Sequence, residues 1–287
     1  MVKLVESSRG AWQGLPLRIS SEVKADYLKT LVAAGFRHLD AVAFVEAAAL
    51  PQMTDSGEVL GYLDPPDDVE VIALVLEPKG VARAARTGAV HTVTFPYAVS
   101  ATFLEQNQQQ TPEESLEALE AIGEAAYKAG LDVTASLEMA FGNPFGEPWE
   151  IDEVVAACDL LVDSGVLQIT LVDSTGQATP KAIADLMQDV MAVHDEVEIG
   201  LELHARPAEV AAKIAAAYTA GCRRFSSSIG ALGSCRYAAD AMVGKVATEQ
   251  LLQVLQGLGA ELPELRPLDG LVQAASEIGR RFGARVQ

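Results

Sequence analysis

The sequence predicts a single (β/α)8 TIM barrel of the α/β class with extra helices at its C-terminal end. Three observations lead there. Short apolar runs alternate with amphipathic helical runs about eight times, the pattern of parallel strands joined by helices; an open doubly wound sheet is the main competing arrangement. A chain of 287 residues with 49% hydrophobic content suits one core and one barrel of about 250 residues. The strand-like runs end in polar residues with unusual regularity, and barrel enzymes hold their chemistry at the carboxyl ends of the strands. We therefore expect one domain over 1–287, with the barrel over about 2–236 and helical decoration over about 237–287.

In chain order, Lys3-Leu4-Val5-Glu6 reads as the first strand, followed by a polar turn over 7–14. Ser20 and Ser21 cap a helix over 22–34 that Gly35 stops. Strands follow over 37–43 and 71–76, the second apolar throughout and so suited to a sheet covered on both faces. After a strand over 91–95, Thr111 and Glu114 stand at capping-box spacing with Pro112 at the first helical position, opening a helix that ends at Gly130. Then come a strand over 132–138, a helix over 151–164, a strand over 167–173, a helix over 180–193, a strand over 197–204, a helix over 207–220 and a strand over 223–228. Helix-like runs near 247–257 and 268–282 complete the chain. Long loops are expected at 47–57, 98–110 and 142–149, more than a minimal barrel needs and suited to covering a site.

A net charge of −19 argues against non-specific binding to nucleic acid or to an anionic membrane, because both are driven by basic clusters. Small molecules are the expected partners. Three cysteines, Cys158, Cys222 and Cys235, do not make a disulfide framework, and neither a secretory signal nor an apolar run of about 18 residues is seen, so a cytoplasmic setting is expected. Cys158 and Cys222 read as core thiols, and His38, His91 and His194 have no second ligand beside them. Trp12 and Trp149 lie on loops near the expected mouth, where packing is the ordinary role. Arg206, Arg223, Arg224 and Arg236 would suit phosphates, although no glycine-rich phosphate loop accompanies them.

The strand ends carry Glu6 and Arg9, Asp40, Glu77, Glu138, Asp173, Glu202 with His204, and Ser226 to Ser228. A ring of acids around one Arg and one His needs a cation to complete it, because buried charge must be matched or neutralised. Glu202 and His204 are two apart at a strand end, where they would share one face about 6–7 Å apart.

At this point residues 2–257 resemble the 3-hydroxy-3-methylglutaryl-CoA lyases, within the larger group of metal-dependent lyase and acyl-CoA condensing barrels. The resemblance is carried in order by Val2 to Glu6 with Arg9 and Gln13; by Pro51-Gln52-Met53; by Phe141-Gly142-Asn143-Pro144-Phe145-Gly146; by Asp173 with Gly176 and Thr179-Pro180; and by Gly230 to Cys235 with Ala247-Thr248-Glu249. It implies carbon–carbon cleavage of retro-aldol or Claisen type, acting on a 3-hydroxyacyl-CoA or a related hydroxy acid. It also implies a coenzyme A thioester as substrate, a divalent Mg or Mn ion, and a homodimer.

The departures fall on the implied metal ligands. The family's Arg-Asp-Gly-Leu-Gln reads Arg9-Gly10-Ala11-Trp12-Gln13, so the ligand Asp is absent. Its His-x-His reads Glu202-Leu203-His204, and a ligand Asn is replaced by Lys245. If a metal is retained, Glu202 and His204 are the positions left to hold it. Otherwise an ammonium can stand where the metal stood, Lys245 being ion-paired to Glu202 and making the chemistry metal-independent. The catalytic candidates are then Arg9, Asp173, His204 and Cys235, at positions the resemblance carries over, and Lys245, added by the charge argument, with Gln13, Asp40 and Glu138 as substrate-binding residues. Two other readings stand beside it. Lys245 could form a Schiff base in an imine-type aldolase, or the barrel could bind a ligand without catalysis.

Overall fold

The computed structural model describes residues 1–233, 237–239 and 242–283. Its centre is a closed barrel of eight parallel strands: β1 (Lys3–Glu6), β2 (His38–Ala43), β3 (Glu70–Leu74), β4 (Thr92–Ala98), β5 (Asp132–Glu138), β6 (Gln168–Val172), β7 (Glu198–Glu202) and β9 (Arg224–Ser227). Closure is made by β1 against β9, with Val5 opposite Ser226 and Glu6 opposite Ser227. Two further strands, β8 (His204–Ala205) and β10 (Gly244–Lys245), lie outside the barrel as an antiparallel ribbon that pairs His204 with Lys245.

The helices packed around the barrel are α1 (Ser8–Trp12), α2 (Ser21–Ala34), α3 (Ser56–Leu63), α4 (Pro78–Ala85), α5 (Ala101–Gln108), α6 (Pro112–Ala129), α7 (Ile151–Asp163), α8 (Pro180–Val193) and α9 (Val210–Thr219), with α10 (Thr248–Gly257) and α11 (Asp269–Phe282) at the C-terminal end. The capping box on α6 is formed, Glu114 N donating to Thr111 Oγ1 and Thr111 N donating to the Glu114 carboxylate. At the end of α2, Gly35 has φ +106, and a Cβ there would lie 2.7 Å from the carbonyl of Glu264. Only glycine lets the C-terminal segment pass that closely. The same segment is tied back by Arg266 N donating to Ala34 O and by Val2 N donating to Glu261 O.

Several expectations need correction. The stretch 98–110 is not an open loop but mostly α5, capped by Ser100 Oγ accepting from Phe103 N. The stretch 47–57 contains a short 3-10 turn at Pro51–Met53 and the start of α3, and the polar turn over 7–14 contains α1. The run 197–204 divides: the barrel strand stops at Glu202, and His204 belongs to the ribbon. Arg224 is not at the mouth at all. It lies buried at the opposite end of the barrel, donating to Thr170 Oγ1 and sitting 3.5 Å from Glu198. Trp12 is fully buried edge-on against Tyr27, and Trp149 packs on the core. Among the described residues, no helix is long and apolar enough to cross a membrane.

Candidate active site

Residues at the carboxyl ends of the strands form two linked ion pairs. Arg9, on α1 just past β1, clamps Asp40 of β2 with a fork of two bonds, Nε to Oδ1 at 2.7 Å and Nη2 to Oδ2 at 2.7 Å. Ser7 Oγ adds a third bond to Asp40 Oδ2 at 3.2 Å, while Arg9 Nη1 holds Gln13 Oε1 at 2.9 Å. Such bidentate pairing fixes the guanidinium plane, which a lone lysine would not do. Across the mouth, Lys245 of β10 pairs with Glu202 of β7, and Ser226 Oγ donates to the other carboxylate oxygen at 2.8 Å.

The two pairs meet at Gly10. A Cβ built there would lie 2.8 Å from Lys245 Cε and 3.0 Å from Lys245 Nζ, so the missing side chain is what makes room for the lysine terminus. Lys245 is 7% exposed and Asp40 is equally buried, whereas Gln13 is exposed at the rim.

On the far side, His204 Nδ1 lies 2.8 Å from the backbone carbonyl of Asp173 and must be the donor. The neutral ring therefore has its free lone pair on Nε2. Burial, reinforced by the charge of Lys245, lowers the His204 pKa to about 4, so the imidazole is neutral near pH 7. Burial works to raise Glu202, but the charge and hydrogen bond of Lys245, with the bond from Ser226, outweigh it and hold the carboxyl at about 2. Glu138 is shifted upward, chiefly by burial and further by Glu202; Ser174 Oγ donates to it at 2.7 Å. Asp173 is fully buried and also shifted upward by burial, against the opposing charge of Lys213.

Glu6 does not face the ion pairs. Its oxygens accept from Ile229 N at 2.9 Å and Thr248 Oγ1 at 2.8 Å, tying β1 to the turn after β9 and to α10, and burial raises its pKa to about 8. Glu77 lies before α4 as a half-exposed surface acid. Cys235 and Arg236 lie outside the described residues. Tyr237, which follows them, packs its ring 5.3 Å from Phe103 and 6.2 Å from Phe145 and donates to Asn107 Oδ1 at 2.6 Å. That contact sets Tyr237 against α5 and the 142–149 loop, two of the stretches expected to cover the mouth.

A divalent metal does not fit this donor set. Position 10 offers no ligand, and the space beside it holds an ammonium already paired with Glu202, which repels a second cation. Among the described residues, no three His, Cys, Asp or Glu side chains converge where they could hold a metal ion. Sequence reasoning named Ser226 among the strand-end residues but missed Ser7 and Ser174, whose hydroxyls also orient the site acids, and Lys213, a buried ammonium beside Asp173. A serine at a strand end carries no distinctive pattern, but a lysine on the apolar stripe of a helix was a visible signal.

A closed parallel barrel with ion-paired acids and bases at the carboxyl ends of its strands places the protein among the (β/α)8 barrels, whose active sites lie at that end. Residues 6–273 match the HMGL-like family model, and the chain belongs to that family of carbon–carbon lyases. It is 31% identical over 271 residues to the hydroxymethylglutaryl-CoA lyase of Pseudomonas mevalonii, covering 94% of this chain and 87% of the relative. The HMG-CoA lyase structure from Bacillus subtilis superposes with a TM-score of 0.90 at 26% identity, covering 98% of this chain and 93% of that one. An HMG-CoA lyase from Acinetobacter baumannii, in complex with coenzyme A and 3-methylmalate, matches with a TM-score of 0.87 at 25% identity, covering 98% and 90%.

Proposed function

We propose that this enzyme cleaves a 3-hydroxyacyl-CoA, with 3-hydroxy-3-methylglutaryl-CoA the first candidate, and that Lys245 with Arg9 supplies the positive charge a divalent ion would otherwise bring. The observation that carries this reading is the interlock at Gly10, where a lysine terminus fills the space next to Arg9. In the reaction, a base removes the proton of the tertiary 3-hydroxyl and the C2–C3 bond breaks. The oxygen becomes a ketone, and the electron pair left on C2 becomes a thioester enolate that takes up a proton. Proton loss and gain cancel, leaving acetyl-CoA and a 3-keto acid.

Negative charge develops first on the hydroxyl oxygen and then on the thioester oxygen. Arg9 and Lys245 are assigned to those two oxyanions, since fixed cations in a partly dry site act there without reorganising. His204, neutral and with Nε2 unprotonated, and Asp173 are the candidates for moving the hydroxyl proton, with Cys235 assigned to protonating the enolate. Gln13, Asp40 and Glu138 orient substrate and cations. A Schiff base on Lys245 is disfavoured, because it needs a neutral amine and Lys245 is engaged by an ionised Glu202. The coenzyme A complex of the Acinetobacter baumannii relative supports a thioester substrate. The buried free thiols of Cys158 and Cys222 suit a cytoplasmic setting, and a homodimer belongs to the same proposal.

The test is to supply 3-hydroxy-3-methylglutaryl-CoA and, separately, the free hydroxy acid, and to quantify acetyl-CoA and acetoacetate. Equimolar products from the thioester are expected, and Arg9→Ala should slow their release by about 10²–10³-fold. Failure to cleave either compound, or an Arg9→Ala variant as fast as the parent, would contradict the reading.

A further inference from the structure

The geometry points to Lys213 as a positioning residue that fixes the ring of His204 and the carboxylate of Asp173 for the cleavage reaction. Lys213 lies on the inward face of α9 among Val210, Ile214 and Ala217, and it is 3% exposed. A lysine on such a stripe loses its hydration without gaining apolar contact, so it persists only where its donors are answered. They are. Its Nζ lies 2.9 Å from Gly176 O, 3.1 Å from His204 O and 3.5 Å from Asp173 Oδ2, one acceptor for each of three N–H bonds. Glu209, one turn back on the helix entry, stands 3.8 Å away as a weaker fourth partner.

These contacts close a ring. Lys213 grips the backbone carbonyl of His204 and the side chain of Asp173, while His204 Nδ1 donates to the backbone carbonyl of Asp173 at 2.8 Å. Ala178 N donates to Asp173 Oδ2 at 3.2 Å, so that oxygen is held from two sides, and the buried Oδ1 has no partner among the described residues. Three elements that converge from different parts of the chain, β6, β8 and α9, are thereby locked at one ammonium. The lock dictates which ring nitrogen of His204 carries the proton. Lys213 touches no reacting atom; it acts through the residues it holds, as outer-shell partners do.

The kinetic consequence rests on the lyase reading given above, but the positional claim does not, and the experiment separates them. The full chain is labelled with ring-15N histidine, the His204 signals are assigned with His204→Gln, and spectra are taken at one neutral pH for the parent, Lys213→Met and Lys213→Arg. We expect the parent to show His204 as a single tautomer with the proton on Nδ1. Lys213→Met should show the two nitrogens moving toward averaged shifts, and Lys213→Arg should recover most of the parent pattern. On 3-hydroxy-3-methylglutaryl-CoA, Lys213→Met should lose about 10–100-fold in kcat with KM little changed, the mark of misplaced groups rather than lost binding. A folded Lys213→Met with the parent's His204 tautomer and kcat would overturn the proposal. If Lys213→Met does not fold, Lys213→Gln is read in the same spectra. If no thioester is turned over by any form, the lyase reading fails and the spectra alone decide the role of Lys213.

Discussion

At position 10 a hydrogen atom stands where a side chain would be, and the space it leaves is filled by the end of Lys245. Glycine is here a packing requirement, since Gly10 lies within the helical turn α1, where alanine would suit the backbone better. We therefore predict that Gly10→Ala destabilises by about 1–3 kcal/mol through overpacking against Ser7 Oγ and Lys245 Cε, and that cleavage falls with it. Shortening the lysine should relieve part of the clash: Gly10→Ala combined with Lys245→Ala should lose less stability than the two single losses added together, yet remain slow. Strictly additive losses in stability would mean that the two residues do not share the space. The departures at Gly10, Glu202 and Lys245 were each legible in the sequence. That they form one unit was not, because 192 positions separate Glu202 from Gly10 and only the fold joins them.

At the scale of elements, the strand ends were legible because period and apolar content mark a barrel strand well: β1 and β5 run as the sequence predicts. The ribbon of β8 and β10 was not. Two residues in each strand are too few for any periodicity, yet this ribbon sets Lys245 beside His204. Amphipathic pattern also failed for α5, a short helix with only Phe103 and Leu104 buried and a polar run Glu105-Gln106-Asn107-Gln108 that reads as loop. The opposite end of the barrel shows what the same strands do for stability. Glu70 on β3 accepts from Thr92 Oγ1 at 2.6 Å and pairs with His38 Nδ1 at 2.6 Å. Burial works to raise its pKa, but those hydrogen bonds outweigh it and lower the carboxyl to about 2. A depressed carboxylate contributes stability that is present above its unfolded value of 4.5 and is lost as pH falls through about 2. Glu70→Gln should therefore cost about 2–3 kcal/mol at neutral pH and little near pH 2, read from unfolding curves taken across that range. Equal losses at both ends of the range would place the role of Glu70 outside charge.

For the whole molecule, fold class followed from the alternation of strands and helices, and the family from motifs spread along most of the chain. What remained hidden was the polar interior. Arg224, one of four arginines weighed for phosphates, is a buried strut at the far end of the barrel, while Lys213, which the sequence reading left unassigned, lies under the site. A single long side chain does not announce its direction; the barrel's closure decides it. The same closure brings Arg9 and Lys245, each held by its own carboxylate, to one face of the mouth, in a chain whose net charge is −19. The central claim is that these two cations do the electrostatic work of cleavage. It is tested most directly by the rate of 3-hydroxy-3-methylglutaryl-CoA cleavage after exhaustive chelation, measured before and after Mg or Mn is restored. A rate unchanged by chelation and by added metal is the result predicted; a rate that collapses with chelator and returns with metal would contradict the claim.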